Sequence, residues 1–137
     1  MTRHQVSVFI QNEAGSLEQV FQLLKKENIQ LIVSTVSDTI DCGVCRIICD
    51  NPVKAVDALK KAGMAASLTD VFVLELDDVP GTAADTISTF AAAGISIAYL
   101  YSFLYGGKGI LVFRTSDRDK EKAASIISGN GFKTFTM

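Results

Sequence analysis

Asp78-Val79-Pro80-Gly81-Thr82 ends an apolar run, Val71 to Leu76, and hands the chain to a helical pattern. Proline presets its own backbone angle, glycine accepts conformations closed to other residues, and threonine is a favoured N-cap. The amides that follow point outward without helical partners, so the helix mouth suits a small anion. Asn12-Glu13-Ala14-Gly15-Ser16 follows a second apolar run, Val6 to Ile10, and again precedes a helical pattern, with Gly15 and Gly81 separated by 66 residues. One device occurs twice, and the chain reads as an internal repeat.

Working outward, Gln5 to Asn12 alternates Val6, Val8 and Ile10 against Gln5, Ser7 and Gln11, the period of a half-buried strand. Ser16 and Gln19 have capping-box spacing, and Leu17, Val20, Phe21 and Leu24 share a helical face that Asn28 closes. Ile29 to Asp38 is strand-like, Thr39 to Gly43 reads as a turn, and Val44 to Cys49 returns as a hairpin arm. Asn51 as N-cap and Pro52 at the first helical position open a second helix, faced by Val53, Val56 and Leu59 and closed by Gly63. Residues 64–70 are left as a short fourth strand, giving domains over residues 1–70 and 71–137.

The order strand, helix, strand, strand, helix, strand begins again at Val71. Gly81 to Gly94 is the next helix, Ile95 to Leu104 a strand, Tyr105 to Gly109 a hairpin turn and Ile110 to Thr115 a strand. Asp119 to Ser128 is the last helix and Phe132 to Phe135 the closing strand. The offset of 66 aligns Ile10 with Leu76, Ile29 with Ile95 and Gly43 with Gly109, then becomes 68 from Gly63 to Gly131.

Right-handed crossovers in such a unit give an antiparallel sheet of order 4-1-3-2 with both helices on one face. The second strand is an edge, and joining the repeats side by side through these edges hides two edges together. That seam sets each helix mouth beside the second strand of the other repeat. The open sheet face, expected to carry Phe9, Ile32, Val71, Val73, Leu100 and Val112, is apolar enough to predict a homodimer that stacks these faces.

The chain has 137 residues, 48% hydrophobic and 20% charged, which is the balance of a globular protein with a core to bury. A net charge of −2 without a Lys/Arg cluster argues against nucleic-acid partners. Met1 to Gln5 lacks an apolar leader segment and Ile95 to Tyr105 is too short to span a bilayer, so the expectation is a soluble, cytoplasmic protein with no membrane partner. Three cysteines suit reduced thiols.

Cys42-Gly43-Val44-Cys45 lies in a predicted hairpin rather than at a helix start, so the two cysteines are not read as a redox or metal pair. Cys45 and Cys49 read as small core fillers beside Ile47. Lys108 in its glycine-rich turn lacks the following Ser or Thr and the helix of a phosphate loop. His4, the single histidine, reads as a solvated residue ahead of the first strand, and adjacent Asp77 and Asp78 do not make an acid/base pair. No catalytic group and no cofactor motif emerges.

With the repeat, the Asp78 to Gly81 turn and the Gly43 to Asp50 hairpin in hand, the chain resembles the ACT domain family, in particular small stand-alone proteins of two tandem ACT domains. The resemblance implies an α+β fold of two ferredoxin-like βαββαβ domains and a non-catalytic regulatory role in amino-acid metabolism. A free amino acid is the implied allosteric effector, held between two domains, and a metabolic enzyme is the implied partner. Matched to the family's turn, the site residues are Asn12, Glu13, Ala14, Gly15, Ser16 and Leu17 in one repeat and Asp78, Val79, Pro80, Gly81, Thr82 and Ala83 in the other. Asn12 and Ala14 depart from the Asp and Pro that the family favours. The ligand carboxylate would meet the helix-mouth amides and its ammonium Asn12 or Asp78. Its side chain would point across the seam to Ser34, Thr35 and Val36 from the Asp78 turn, or to Leu100, Tyr101 and Ser102 from the Asn12 turn. The competing reading is a dimerising interaction module that holds no ligand and regulates a metabolic enzyme.

Overall fold

Alternating apolar residues become strands and the 3.6-period segments become helices, as the patterning requires. The computed structural model describes residues 2–11, 13–38 and 42–136. Strand β1 (Arg3–Gln11) leads to helix α1 (Ser16–Lys26), then β2 (Leu31–Asp38), β3 (Cys42–Cys49) and α2 (Pro52–Lys61). Strand β4 (Ala65–Asp77) follows, then α3 (Thr82–Ala92), β5 (Ile97–Tyr105) and β6 (Lys108–Thr115). A 3-10 turn over Asp117–Asp119, α4 (Lys120–Gly129) and β7 (Lys133–Thr134) close the chain.

The chain divides into two compact units, one of His4–Asp70 and one of Val71–Met137 with Met1–Arg3. In the first the strand order is β2-β3-β1-β4, and in the second β7-β4-β6-β5, the 4-1-3-2 order in both cases. The sequence expected residues 64–70 and 71–76 to form separate strands. They are instead one strand of 13 residues, because no Gly or Pro interrupts Ala65–Asp77. Within the first unit β2 is bonded to β3, and within the second β5 is bonded to β6.

Each unit packs its helices on one sheet face. In the first, Val20 and Leu24 of α1 and Ala55, Val56 and Leu59 of α2 meet Val6, Val8, Cys45, Ile47 and Cys49. Val53, expected on the α2 face, is exposed. In the second, Phe90 of α3 and Ala123 and Ile127 of α4 meet Phe72, Leu74, Leu111 and Phe113. The Phe113 ring lies 5.4 Å from that of Phe72 and 5.0 Å from that of Phe90, within the range of favourable aromatic pairs.

The expected greasy open face is corrected. Val71, Val73 and Val112 are buried within the single chain, and Leu100 pairs with Phe113, which places it on the helix side. Ile32 falls at a register irregularity of β2, and Phe9 is exposed as expected. In the second unit the other face carries Phe135, whose ring meets those of Phe103 and Tyr105 edge-on and lies under the Arg3 guanidinium. Val71, Val73 and Val112 are therefore not available to a face-stacked dimer.

Candidate functional site

The site is built from the end of β4, the start of α3 and the β5–β6 hairpin. At the end of β4 the Val79 amide donates to the Asp77 carbonyl at 2.9 Å, and Gly81 takes φ 92°, a left-handed conformation that glycine reaches without strain. Gly81 is the N-cap. Thr82 is the first helical residue, and no side chain caps the helix. The expected threonine cap is corrected for that reason, since the left-handed glycine moves threonine one place inward. The Thr82 carbonyl instead accepts a hydrogen bond from the buried Thr86 hydroxyl at 2.9 Å.

The first turn repeats this backbone. Glu13 N–H donates to Gln11 O at 2.9 Å, Gly15 has φ 90°, and the Gln19 amide closes the first helical bond to Gly15 O at 3.0 Å, as Asp85 does to Gly81 O at 3.0 Å. Ser16 makes no cap, so the capping box with Gln19 is not formed. Asn12 lies outside the described residues, as do Thr39, Ile40 and Asp41 of the first hairpin turn. Cys42 and Gly43, read as turn, belong to β3, and Lys108 and Gly109 belong to β6, because Gly106 and Gly107, both with positive φ, suffice for a two-residue hairpin loop.

A cavity of about 320 Å³ opens beside the second turn within the second unit. Of the residues expected from sequence, Asp78, Val79, Thr82, Ala83 and Ser102 line it. Ser102 was expected opposite the first turn and lies instead in the cavity of the second. Pro80 and Gly81 shape the turn without lining the cavity, and Leu100 and Tyr101 do not line it. Glu13, Ala14, Gly15, Ser34 and Val36 are exposed, while Ser16, Leu17 and Thr35 are half-buried.

Sequence reasoning missed Leu76, Asp77, Leu104 and Leu111 as lining residues. Leu76 and Leu104 both pair with Gly109, so the hairpin register carries them to the site. The Gly106-Gly107 loop was the signal that set this register. Asp77 is tied to Lys108, whose Nζ donates to its Oδ1 at 2.9 Å. That hydrogen bond and the ammonium charge hold the Asp77 carboxyl below its ordinary pKa, and the same contact raises Lys108 above its own. A smaller cavity of about 230 Å³ flanks the pair and is lined by Thr86, Lys108 and Lys133 among others.

The remaining candidates settle into structural places. His4 is a residue of β1 rather than a tail residue, with Nδ1 3.1 Å from Asp70 Oδ1. Cys45 is fully buried, and burial pushes its thiol up to about 11, the opposite of an activated nucleophile. Among the described residues no three His, Cys, Asp or Glu side chains group to hold a metal ion, and no helix is long and apolar enough to cross a membrane.

Two βαββαβ units with a glycine-capped turn at each first helix set the terms for comparison with known proteins. The family model described as an ACT domain pair matches residues 1–133. This chain belongs to that family. Among solved structures, the ACT pair is similar to protein BT0572 from Bacteroides thetaiotaomicron, with 32% identity, a TM-score of 0.91, and coverage of 98% of this chain and 92% of that one. In fold it is also similar to the regulatory subunit of aspartate kinase from Thermus thermophilus, with 18% identity, a TM-score of 0.65 and coverage of 93% of both chains. A C-terminal regulatory domain of aspartate kinase from Porphyromonas gingivalis shares 14% identity at a TM-score of 0.55, covering 94% of this chain and 93% of that one. No curated protein sequence matches the ACT pair.

Proposed function

We propose that this ACT pair is a non-catalytic regulatory protein that binds a free amino acid at its strand-to-helix turn and acts on a metabolic enzyme. The cavity beside Asp78 is the observation that carries the reading. Its lining brings the first residues of α3, a helix start that no side chain caps, together with the Asp78 carboxylate, so one end would receive an anion and the other an ammonium. Both charges of an amino acid would be met there. The fold it shares with aspartate kinase regulatory subunits and domains supports a regulatory role.

The seam, expected from sequence between the two repeats of one chain, is proposed here between two chains, as the outer wall of the site. Ser102 and Leu104 lie in both the cavity lining and β5, the outer strand of its unit. A second strand of another ACT unit laid along β5 in a homodimer closes the cavity. Occupancy is then linked to assembly, as a sensor requires. Exposed Val79, Leu100, Leu104 and Tyr105 favour the competing reading as well, an interaction module that needs no ligand.

Thermal unfolding of the purified chain with each common amino acid at millimolar concentration separates the two. A ligand at a hundred times its dissociation constant adds about 2.7 kcal/mol. A saturable rise with one chemical group of amino acids supports the sensor. No rise with any of them leaves the interaction module.

A further inference from the structure

The two turns are copies in backbone and differ in side chains. At the second turn Val79, Ala83 and Leu104 line the cavity; at an offset of 66 the first turn has Glu13, Leu17 and Asp38. The equivalence holds in register, since Leu104 pairs with Gly109 as Asp38 pairs with Gly43. Leu17 is half-buried against the first unit's core, whereas Ala83 is exposed at the matching place. A long side chain thus fills in one unit the position that stays open in the other. Glu13 and Asp38 further put charged groups where the second turn has the apolar Val79 and Leu104.

The lining of the second turn also selects among amino acids. Its two acidic groups have separate tasks: Asp77 is paired with Lys108, which leaves Asp78 for the ligand ammonium. Among the described residues no Lys or Arg lines the cavity, and Lys108 is already engaged by Asp77, so a second carboxylate on the ligand finds no unpaired counter-charge there. A cationic side chain would compete with Lys108 for Asp77. Leu76, Val79, Leu104 and Leu111 offer apolar surface instead, and burying an apolar side chain against it is favourable.

We propose that the chain binds one amino acid with an apolar side chain, at the Asp78 turn, and none at the Glu13–Leu17 turn. The inference rests on the amino-acid-binding reading and adds to it the ligand's class and the stoichiometry. Isothermal titration of the full chain with Val, Leu, Ile, Met, Ser, Asp and Lys tests both. The expected result is one site per chain, with the apolar ligands at least tenfold tighter than Ser, Asp or Lys. Ala83→Leu copies the first turn into the second and lowers affinity at least tenfold, while Ala91→Leu, at an exposed position farther along α3, leaves affinity unchanged and serves as the folding control. Preference for a polar or charged amino acid overturns the ligand class alone. Two sites per chain, or full affinity in Ala83→Leu, overturns the single-site assignment. Failure of every amino acid to bind overturns the parent reading and this one with it.

Discussion

Gly81 and Gly15 have φ 92° and 90°, where a residue with a Cβ is strained, yet a Cβ built at either position meets no atom within 4 Å. The cost of substitution is therefore a backbone cost, about 1–2 kcal/mol for an L-residue in this region. Gly15→Ala and Gly81→Ala are expected to lower stability by the same amount in thermal unfolding. Function separates them: Gly81→Val obstructs the helix mouth and lowers ligand affinity at least tenfold, whereas Gly15→Val leaves affinity intact. Unchanged affinity in Gly81→Val would remove the Asp78 turn from the site. Cys45 offers a test by pH. Its folded pKa of about 11 stands above the 9.0 of an unburied thiol, so the folded state favours the neutral form. Its contribution to stability is complete below pH 9 and is lost as pH rises from 9 towards 11. The melting temperature of wild type is expected to fall more steeply across that window than that of Cys45→Val. Parallel curves would show that the thiol does not titrate with unfolding.

At the level of elements, helix starts separate what the sequence states from what it conceals. Asn51 caps α2 as its type and the following proline suggest, accepting from the Lys54 amide at 3.2 Å. Asn51→Ala is expected to cost about 1 kcal/mol, read as a lower melting temperature. Ser16→Ala and Thr82→Ala lack that cost, because glycine occupies both N-caps and neither hydroxyl reaches a helix amide. A loss as large as that of Asn51→Ala would refute the glycine-capped geometry. Helix ends were legible for a related reason. Asn28, Gly63, Gly94 and Gly131 all take positive φ, and the amide one place beyond each donates back to Leu24, Leu59, Phe90 and Ile127. Residue type decides such closures locally. Cross-strand register is not local, so Leu76 and Leu104 became visible as cavity walls only once both were paired with Gly109. The same holds for the open face: patterning marks Val71, Val73 and Val112 as apolar, but whether they are covered depends on residues distant in sequence.

For the whole molecule the decisive strand is β4, which the repeat divides at Asp70 and Val71 and the backbone does not. Its first half is fastened to β1 by the Ser7–Thr69 hydroxyl contact at 2.8 Å and the His4–Asp70 pair at 3.1 Å. Its second half places Phe72 and Leu74 in the other core. Strand pairing on one half fixes the extended backbone through which the other begins, so that ordering either half reduces the conformational entropy still to be lost by its neighbour. Arg3 also belongs to the unit formed by the later residues, where its guanidinium lies 5.7 Å from the Phe135 ring centre. A fragment of residues 71–137 keeps its four strands and two helices but loses both the upstream half of β4 and Arg3. It is expected to melt below the intact chain, with a smaller part of the difference, about 0.5–1 kcal/mol, reproduced by Arg3→Ala in the intact chain. Circular dichroism of the fragment, the variant and wild type measures this, and a fragment as stable as the intact chain would show that β4 does not couple the units. Adding a ligand to the fragment completes the test: an amino acid held by the Asp78 cavity alone stabilises it as it stabilises the whole, whereas one whose outer wall is β2 of another chain stabilises only the intact protein.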